Sequence, residues 1–218
     1  MEVLHLTETN HERIAQRVAW LLKCGGVAAV PTDTVYGLVA DTLRFASVEK
    51  VLRMKERSRT KAMPVFVRDI AMAKQYAAID DAVERILQEL WPGQTTVVLR
   101  KKRAMPDMVS GGLKTIGLRI PYHPFPASVL ARFHNPIIAT SANLSGTEPA
   151  QSASDVQAAF QKHVPRPDLL VDAGILPPSP SSTVLDLTNP AHPQILRLGA
   201  ITKDKLDQWL SQWQKKVA

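Results

Sequence analysis

A lone cysteine, Cys24, gives this chain no partner for an internal disulfide and no Cys-cluster metal site. As an isolated thiol it reads as a core packing residue, and no catalytic part falls to it. No stretch approaches the ~18 consecutive apolar residues of a membrane-spanning helix. The N-terminus carries Glu2, His5, Glu8 and His11 where a secretory leader would place basic and then apolar residues, so a cytoplasmic location away from membranes is expected. Aromatic residues make up only 6%, which disfavours a base-stacking surface. His, Cys and carboxylate residues show no spacing suited to a protein-held metal. Two common nucleotide cradles are missing as well: there is no Gly-x-x-x-x-Gly-Lys-Ser/Thr loop, and no Gly-x-Gly-x-x-Gly follows a strand.

What is present describes an ordinary globular enzyme-sized chain. The 45% apolar residues are spread along all 218 positions, enough for a sizeable core, and one domain spanning 1–218 is expected. A formal net charge of +7 favours polyanionic partners, either a nucleotide or nucleic acid, without choosing between them.

Periodicity predicts helices over Thr9–Lys23, Ser47–Met54, Asp80–Leu90, Pro126–Phe133, Ser152–His163 and Thr202–Lys216. The first should stop at Gly25-Gly26. Ser154 and Asp155 are cap candidates for the fifth, and the last should turn Leu206, Trp209, Leu210 and Trp213 inward. Short apolar runs predict strands at Val27–Val30, Met63–Val67, Thr95–Leu99, Thr115–Ile120, Pro136–Thr140, Leu169–Asp172 and Thr183–Leu187. Alternation of the two types implies an α/β fold, in which ligands gather at strand ends. The Pro/Ser-rich segment 177–182 reads as an active-site loop.

Several polar segments sit at such ends. Pro31-Thr32-Asp33-Thr34-Val35-Tyr36-Gly37-Leu38 crowds hydroxyls, a carboxylate and a phenol into one junction, suited to the polar ends of a small zwitterion or to a locally bonded turn. Lys55, Arg57, Arg59 and Lys61 alternate with uncharged or acidic residues. On an extended loop they would lie along one side, as a solvated charge run or as a clamp for a triphosphate. Ser141-Ala142-Asn143-Leu144-Ser145-Gly146 offers hydroxyl, amide and backbone N–H groups to phosphate or ribose.

These segments, together with Trp91-Pro92-Gly93 and Thr96, Arg119-Ile120-Pro121, Ser182-Thr183-Val184-Leu185-Asp186 and Arg197-x-Gly199, resemble in order and spacing the YrdC/TsaC family of threonylcarbamoyl-AMP synthases. The resemblance covers roughly residues 10–201 and is to the short, single-domain form of the family. It implies a YrdC-like twisted α/β domain with a concave basic cavity for L-threonine, bicarbonate and ATP, the last carrying Mg²⁺ on its phosphates. By the resemblance, Thr32, Arg119, Ser141 and Ser182 would hold threonine. Lys55, Arg57, Lys61, Thr115, Asn143 and Arg197 would face ATP, with Lys55 and Arg57 also catalytic. The adenylate product would pass to tRNA-modification machinery. Ser58, Gln94-Thr95 and Ser181 depart from frequent family residues; none removes a charged ligand, and they bear on loop rigidity. The alternative from another class is a non-catalytic module binding double-stranded RNA or tRNA through its phosphates.

Overall fold

The structure, a computed structural model, describes the backbone of residues 1–217 and the side chains of residues 1–211. Ten strands form one mixed sheet in the order β1-β8-β2-β3-β7-β4-β6-β5-β9-β10. On one side of it are β1 (Glu2–His5), β8 (Leu169–Asp172), β2 (Val27–Val30), β3 (Gly37–Asp41) and β7 (Ile137–Ser141). The other side holds β4 (Val65–Phe66), β6 (Thr115–Arg119), β5 (Thr95–Arg100), β9 (Thr183–Asp186) and β10 (Gln194–Arg197). Parallel pairs (β1/β8, β2/β8, β4/β6, β5/β9) are mixed with antiparallel ones.

Helices α1 (His11–Lys23) and α6 (Pro124–Phe133) pack on one face. Ile14, Val18, Leu22, Phe125, Val129 and Phe133 meet Ala28, Val30, Val39, Ile137 and Leu169 there. The period of two turns the alternate residues, such as Val27, Leu38, Val65, Val97, Leu118 and Leu185, to the opposite face. Helices α2 (Phe45–Met54), α4 (Asp81–Leu90) and α7 (Ala153–Phe160) cover that face, with the short α3 (Ile70–Tyr76) and α5 (Asp107–Ser110) beside them. Leu206 of the last helix, α8 (Lys203–Val217), is buried, and Trp209 and Leu210 pack against the same core. The Trp213 side chain, expected to point inward, lies outside the described residues.

This arrangement decides where a ligand can sit. The core residues of α1 and α6 meet β2, β3, β7 and β8. Further along the same face, alternation brings Thr96, Val98, Gly117, Arg119 and Val184 of β5, β6 and β9 to the lining of a cavity instead of a helix contact.

Local signals explain most boundaries. After α1, Gly25 takes φ +85° while Gly25 N donates to Leu22 O and Gly26 N to Leu21 O, the paired bonds of a glycine-terminated helix. Cys24, at that end, is exposed, contrary to the core position expected of it. For α7 the cap is Ser152, not Ser154. Ser152 Oγ accepts from Asp155 N, and Asp155 reaches back to Ser152 N. The strands β1, β3 and β10 and the helices α3 and α5 were not foreseen. Gly37–Asp41 in particular turns the segment after Pro31 into a connection between two antiparallel neighbours, Val30 pairing with Gly37.

Candidate active site

The loop 31–36 is organised by Thr32. Its buried Oγ1 donates to Val35 O at 2.7 Å and accepts from Thr34 N and Val35 N at 3.2 and 3.3 Å, a hydroxyl-centred turn. With its proton committed to Val35, the oxygen can only accept from a ligand. Asp33 does not close a local turn: it reaches across to β6, where Oδ1 accepts from Arg119 Nη2 at 2.7 Å and Oδ2 from Tyr122 N at 3.1 Å. Gln94, one of the departures from the family pattern, ties the next loop to this one by donating Nε2 to Asp33 O at 2.5 Å.

Arg119 is 3% exposed, and its Asp33 partner 8%. Its Nε donates to Gly93 O at 2.7 Å, so the guanidinium is held along one edge and the rest of the fork is left to the cavity it lines. Burial lowers its pKa, which the Asp33 carboxylate opposes and the nearby Arg197 charge reinforces. Arg197, from β10, donates to Ser182 O at 2.6 Å and lies 3.4 Å from Ser182 Oγ, which shares a 2.9 Å hydrogen bond with Thr96 Oγ1. Gly199 holds this corner together. A Cβ there would stand 2.1 Å from Ser181 O, so only glycine admits the close passage of the two backbones.

The cavity between these residues measures about 320 Å³. Thr32, Thr34, Arg57, Thr96, Arg119, Ser141, Ser182 and Arg197 give it polar walls, while Val98, Met63, Phe66, Ala139 and Val184 supply an apolar flank. Among the described residues, three guanidinium groups line it and no carboxylate does. Of the residues expected at a ligand site, Thr32, Arg57, Arg119, Ser141, Ser182 and Arg197 are brought together here.

Four others are not. Lys55 is 2% exposed and lies behind the wall, its Nζ donating to Ser141 O at 2.5 Å, Asn143 O at 2.7 Å and Asn143 Oδ1 at 3.1 Å. Its three hydrogens meet three acceptors. Burial, and then the Arg57 charge, pull its pKa from 10.5 to about 7, a shift the three acceptors resist because a neutral amine could satisfy only two of them. Asn143 is likewise buried, with Nδ2 bonded to Thr147 O at 2.5 Å and Oδ1 accepting from Ser141 Oγ at 2.5 Å.

Lys61 is exposed and offers Arg57 its carbonyl, not its ammonium, to the site. The four cations of 55–61 do not line one side of an extended loop. Glu56 takes φ +48° and Arg57 N bonds to Leu52 O, so the chain turns: Lys55 points inward, Arg57 donates to Ala62 O, and Arg59 pairs with Glu49. Thr115 is at the opposite end of β6 from Arg119, four residues or ~13 Å away. It lines a separate cavity of about 560 Å³ with Arg100, Lys101 and Lys114.

Among the residues without an assigned part, Thr96 and Gly117 line the site and Asp33 supports it from behind. Thr96 and Gly117 were legible in principle, since each stands an even number of places from a residue on the ligand face of its strand. The reach of Asp33 to Arg119 had no local signal.

Similarity to known proteins extends this picture. A family model, Sua5_yciO_yrdC, described as telomere recombination, matches residues 20–199. The chain is 32% identical over 209 residues to the threonylcarbamoyl-AMP synthase of Bacillus subtilis, covering 95% of this chain and 59% of that protein. To the Pyrococcus abyssi protein of the same name it is 28% identical over 207 residues, covering 94% and 60%. The chain therefore spans about three fifths of the length of these relatives. Among solved structures, P. abyssi Sua5 complexed with L-threonine superimposes with a TM-score of 0.88 at 28% identity, over 95% of this chain and 60% of that one.

Proposed function

Since the chain belongs to the Sua5/YciO/YrdC family, we propose that its cavity makes threonylcarbamoyl-AMP from L-threonine, bicarbonate and ATP. The observation that carries this reading is the meeting, in one cavity, of a buried guanidinium, a Ser182–Thr96 hydroxyl pair and two further arginines. The chemistry that this set would perform is suggested by the threonylcarbamoyl-AMP synthases of B. subtilis and P. abyssi and by the threonine-bound Sua5 fold.

In this reading the threonine carboxylate meets the free edge of Arg119, and its polar substituents meet Thr32, Ser141 and Ser182, whose oxygens suit N–H and O–H donors. The substrate amine attacks the carbon of bicarbonate, or of carbon dioxide derived from it, giving a carbamate; with bicarbonate, water is released. A carbamate oxygen then attacks the α-phosphorus of ATP, and the bond to the β-phosphate bridge breaks with pyrophosphate leaving. The reaction class is nucleotidyl transfer. Its barrier is lowered chiefly by holding reactants together, a contribution on the order of 7–11 kcal/mol, with no protein nucleophile.

Arg57 and Arg197, at the cavity wall, would stabilise charge on the phosphates. Lys55 takes a positioning part here, because its hydrogens fasten the Ser141–Asn143 segment. Asn143 acts with it through its backbone. Thr115, which lines the separate cavity beside Arg100 and Lys101, takes no part in this reading. The donors at the cavity are hydroxyls and guanidinium groups, so a Mg²⁺ would be carried by the triphosphate; among the described residues no three His, Cys, Asp or Glu side chains are grouped to hold one.

The adenylate would then serve the machinery that modifies adenosine in tRNA. No helix among the described residues is long and apolar enough to cross a membrane. A concave cavity of about 320 Å³ lined by hydroxyls and guanidinium groups favours small substrates over the alternative of a duplex-RNA module, which reads phosphates along an extended surface. The decisive experiment supplies labelled bicarbonate, ATP and L-threonine. Formation of threonylcarbamoyl-adenylate with equimolar pyrophosphate is expected, and its absence in an ATP- and threonine-binding protein overturns the reading.

A further inference from the structure

The cavity has an imbalance of charge that a zwitterionic amino acid would feel. Arg57, Arg119 and Arg197 line it, and among the described residues no Asp or Glu does. An ammonium entering such a space is repelled, and in a partly desolvated site that repulsion is far stronger than in water. One carboxylate stands immediately behind the lining. Asp33 is 8% exposed, is joined to Arg119 at 2.7 Å, and is fixed from two other directions by Tyr122 N and, through its own carbonyl, by Gln94.

This carboxylate is not needed to fasten the loop that carries it. The turn at 32–35 is closed by the Thr32 hydroxyl. Nor is it the sole anchor of Arg119, whose Nε is already held by Gly93 O. What Asp33 adds that a neutral acceptor would not is negative charge beside a cationic cavity.

We propose that Asp33 is a specificity-determining residue: by cancelling the Arg119 charge seen from the cavity, it admits substrates that carry an ammonium next to a carboxylate and disfavours plain carboxylates and other anions. Arg119 keeps its directional hydrogen bonds for the substrate carboxylate while losing its long-range preference for anions. Charge selection for the amine is thereby built into the second partner of an ion pair, beside the direct contacts made by the hydroxyls. The inference rests on the reading of the cavity as an amino-acid site.

The test compares L-threonine with 3-hydroxybutyrate, which keeps the carboxylate and the hydroxyl-bearing carbon but lacks the amine. Affinities are measured by calorimetry for the wild-type chain and for Asp33→Asn, which keeps one oxygen able to accept from Arg119 or from Tyr122 N and removes the charge. Wild type is expected to prefer threonine. In Asp33→Asn that preference should shrink by about tenfold, through weaker threonine binding, stronger 3-hydroxybutyrate binding, or both.

A purely structural role for Asp33 would weaken both ligands alike and leave their ratio unchanged, and that outcome overturns the inference while leaving the synthase reading standing. Wild-type protein that binds neither ligand overturns the reading itself, and this inference with it. Should Asp33→Asn fail to fold, Asp33→Ser takes its place with the same ratio as readout. Asp33→Glu, which keeps the charge, should retain the wild-type ratio.

Discussion

Lys55 and Asn143, far apart in the chain, are joined twice: the Lys55 ammonium donates to both the carbonyl and the side-chain oxygen of Asn143, at 2.7 and 3.1 Å. A third bond reaches Ser141 O, so one cation at the end of α2 fixes the backbone just beyond β7. The same segment presents Ser141 to the cavity.

Replacing that cation tests its role. Lys55→Met keeps the stem's volume and takes the ammonium from Asn143 O, while Ser141 O keeps its bond from Asn143 N and Asn143 Oδ1 its bond from Ser141 Oγ; a buried carbonyl left unpaired costs roughly 1–3 kcal/mol. Urea unfolding should show a loss of about 1–3 kcal/mol. Activity should fall with it. Lys55→Arg should not rescue either property, because a planar fork cannot address three acceptors gathered around one nitrogen.

Arg57 differs in kind. It is half-buried and its bonds run to the carbonyls of Lys61 and Ala62. Arg57→Ala should cost the fold under about 2 kcal/mol, yet remove a charged contact to phosphate worth about 1.5–3 kcal/mol. Calorimetric titration should therefore show ATP affinity reduced by tenfold or more, with a melting temperature only slightly lowered. Unchanged affinity would take Arg57 out of the nucleotide site.

Gly117 gives a cleaner separation of function from stability. It lines the cavity, and a Cβ added there would lie 3.0 Å from Thr96 Cγ2. Gly117→Val suits a strand and should leave the unfolding midpoint within about 1 kcal/mol of wild type, counting β propensity against crowding. It fills the floor between Val98 and Thr96. Turnover should drop by at least tenfold while circular dichroism and the melting curve are little changed.

A pH effect follows from His123, whose Nδ1 accepts from Phe125 N at 3.1 Å and so caps α6. Burial lowers its pKa below 6.5, with Asp33 opposing and His11 adding to the shift. The folded state thus binds a proton less readily than the unfolded chain. Stability is complete above about 6.5 and declines as pH falls from there toward the lowered folded value, where the unfolded state takes up the proton first. Asn, which also caps helices, does not titrate in this range. His123→Asn should flatten the loss of stability between pH 7.5 and 5, as read by denaturant midpoints at both values; an equal slope in both proteins would assign it to other groups.

How much of this was legible depended on whether a signal was local. The long amphipathic helices α1 and α4, and the apolar strands β2, β5 and β8, announce themselves through periodicity, as does the Gly25 stop. Strands β1 and β10 sit at the two edges of the sheet, with Leu196 exposed on β10, and carry little of the pattern that burial imposes. Strand β3 was hidden because Gly37 and Leu38 belong to a segment dominated by polar neighbours. At the site, Arg119, Ser182 and Arg197 were found from motif order. The fate of Lys55 was not, since alternating charges suggest an extended clamp, whereas one residue at positive φ, Glu56, turns the chain and sends Lys55 inward. Asp33 and Arg119 meet only through the sheet, and nothing within either segment signals it.

The order of the strands has a consequence for synthesis. Thr32 comes from the loop after β2, Arg119 from the end of β6, and Ser182 and Arg197 from the β9–β10 region, which enters the sheet beside β5, a strand completed much earlier in the chain. A nascent chain that has already emerged through β7 can shelter most of its apolar interior under α1, α2 and α6, yet its ligand face still lacks two of its walls. Until β9 docks in parallel against β5 and β10 closes over it, Thr96 and Val98 line an open edge able to accept a foreign strand. At that stage the cavity lacks Ser182, Val184 and Arg197. Competence for the proposed reaction and protection of that edge should therefore arrive together, late in synthesis.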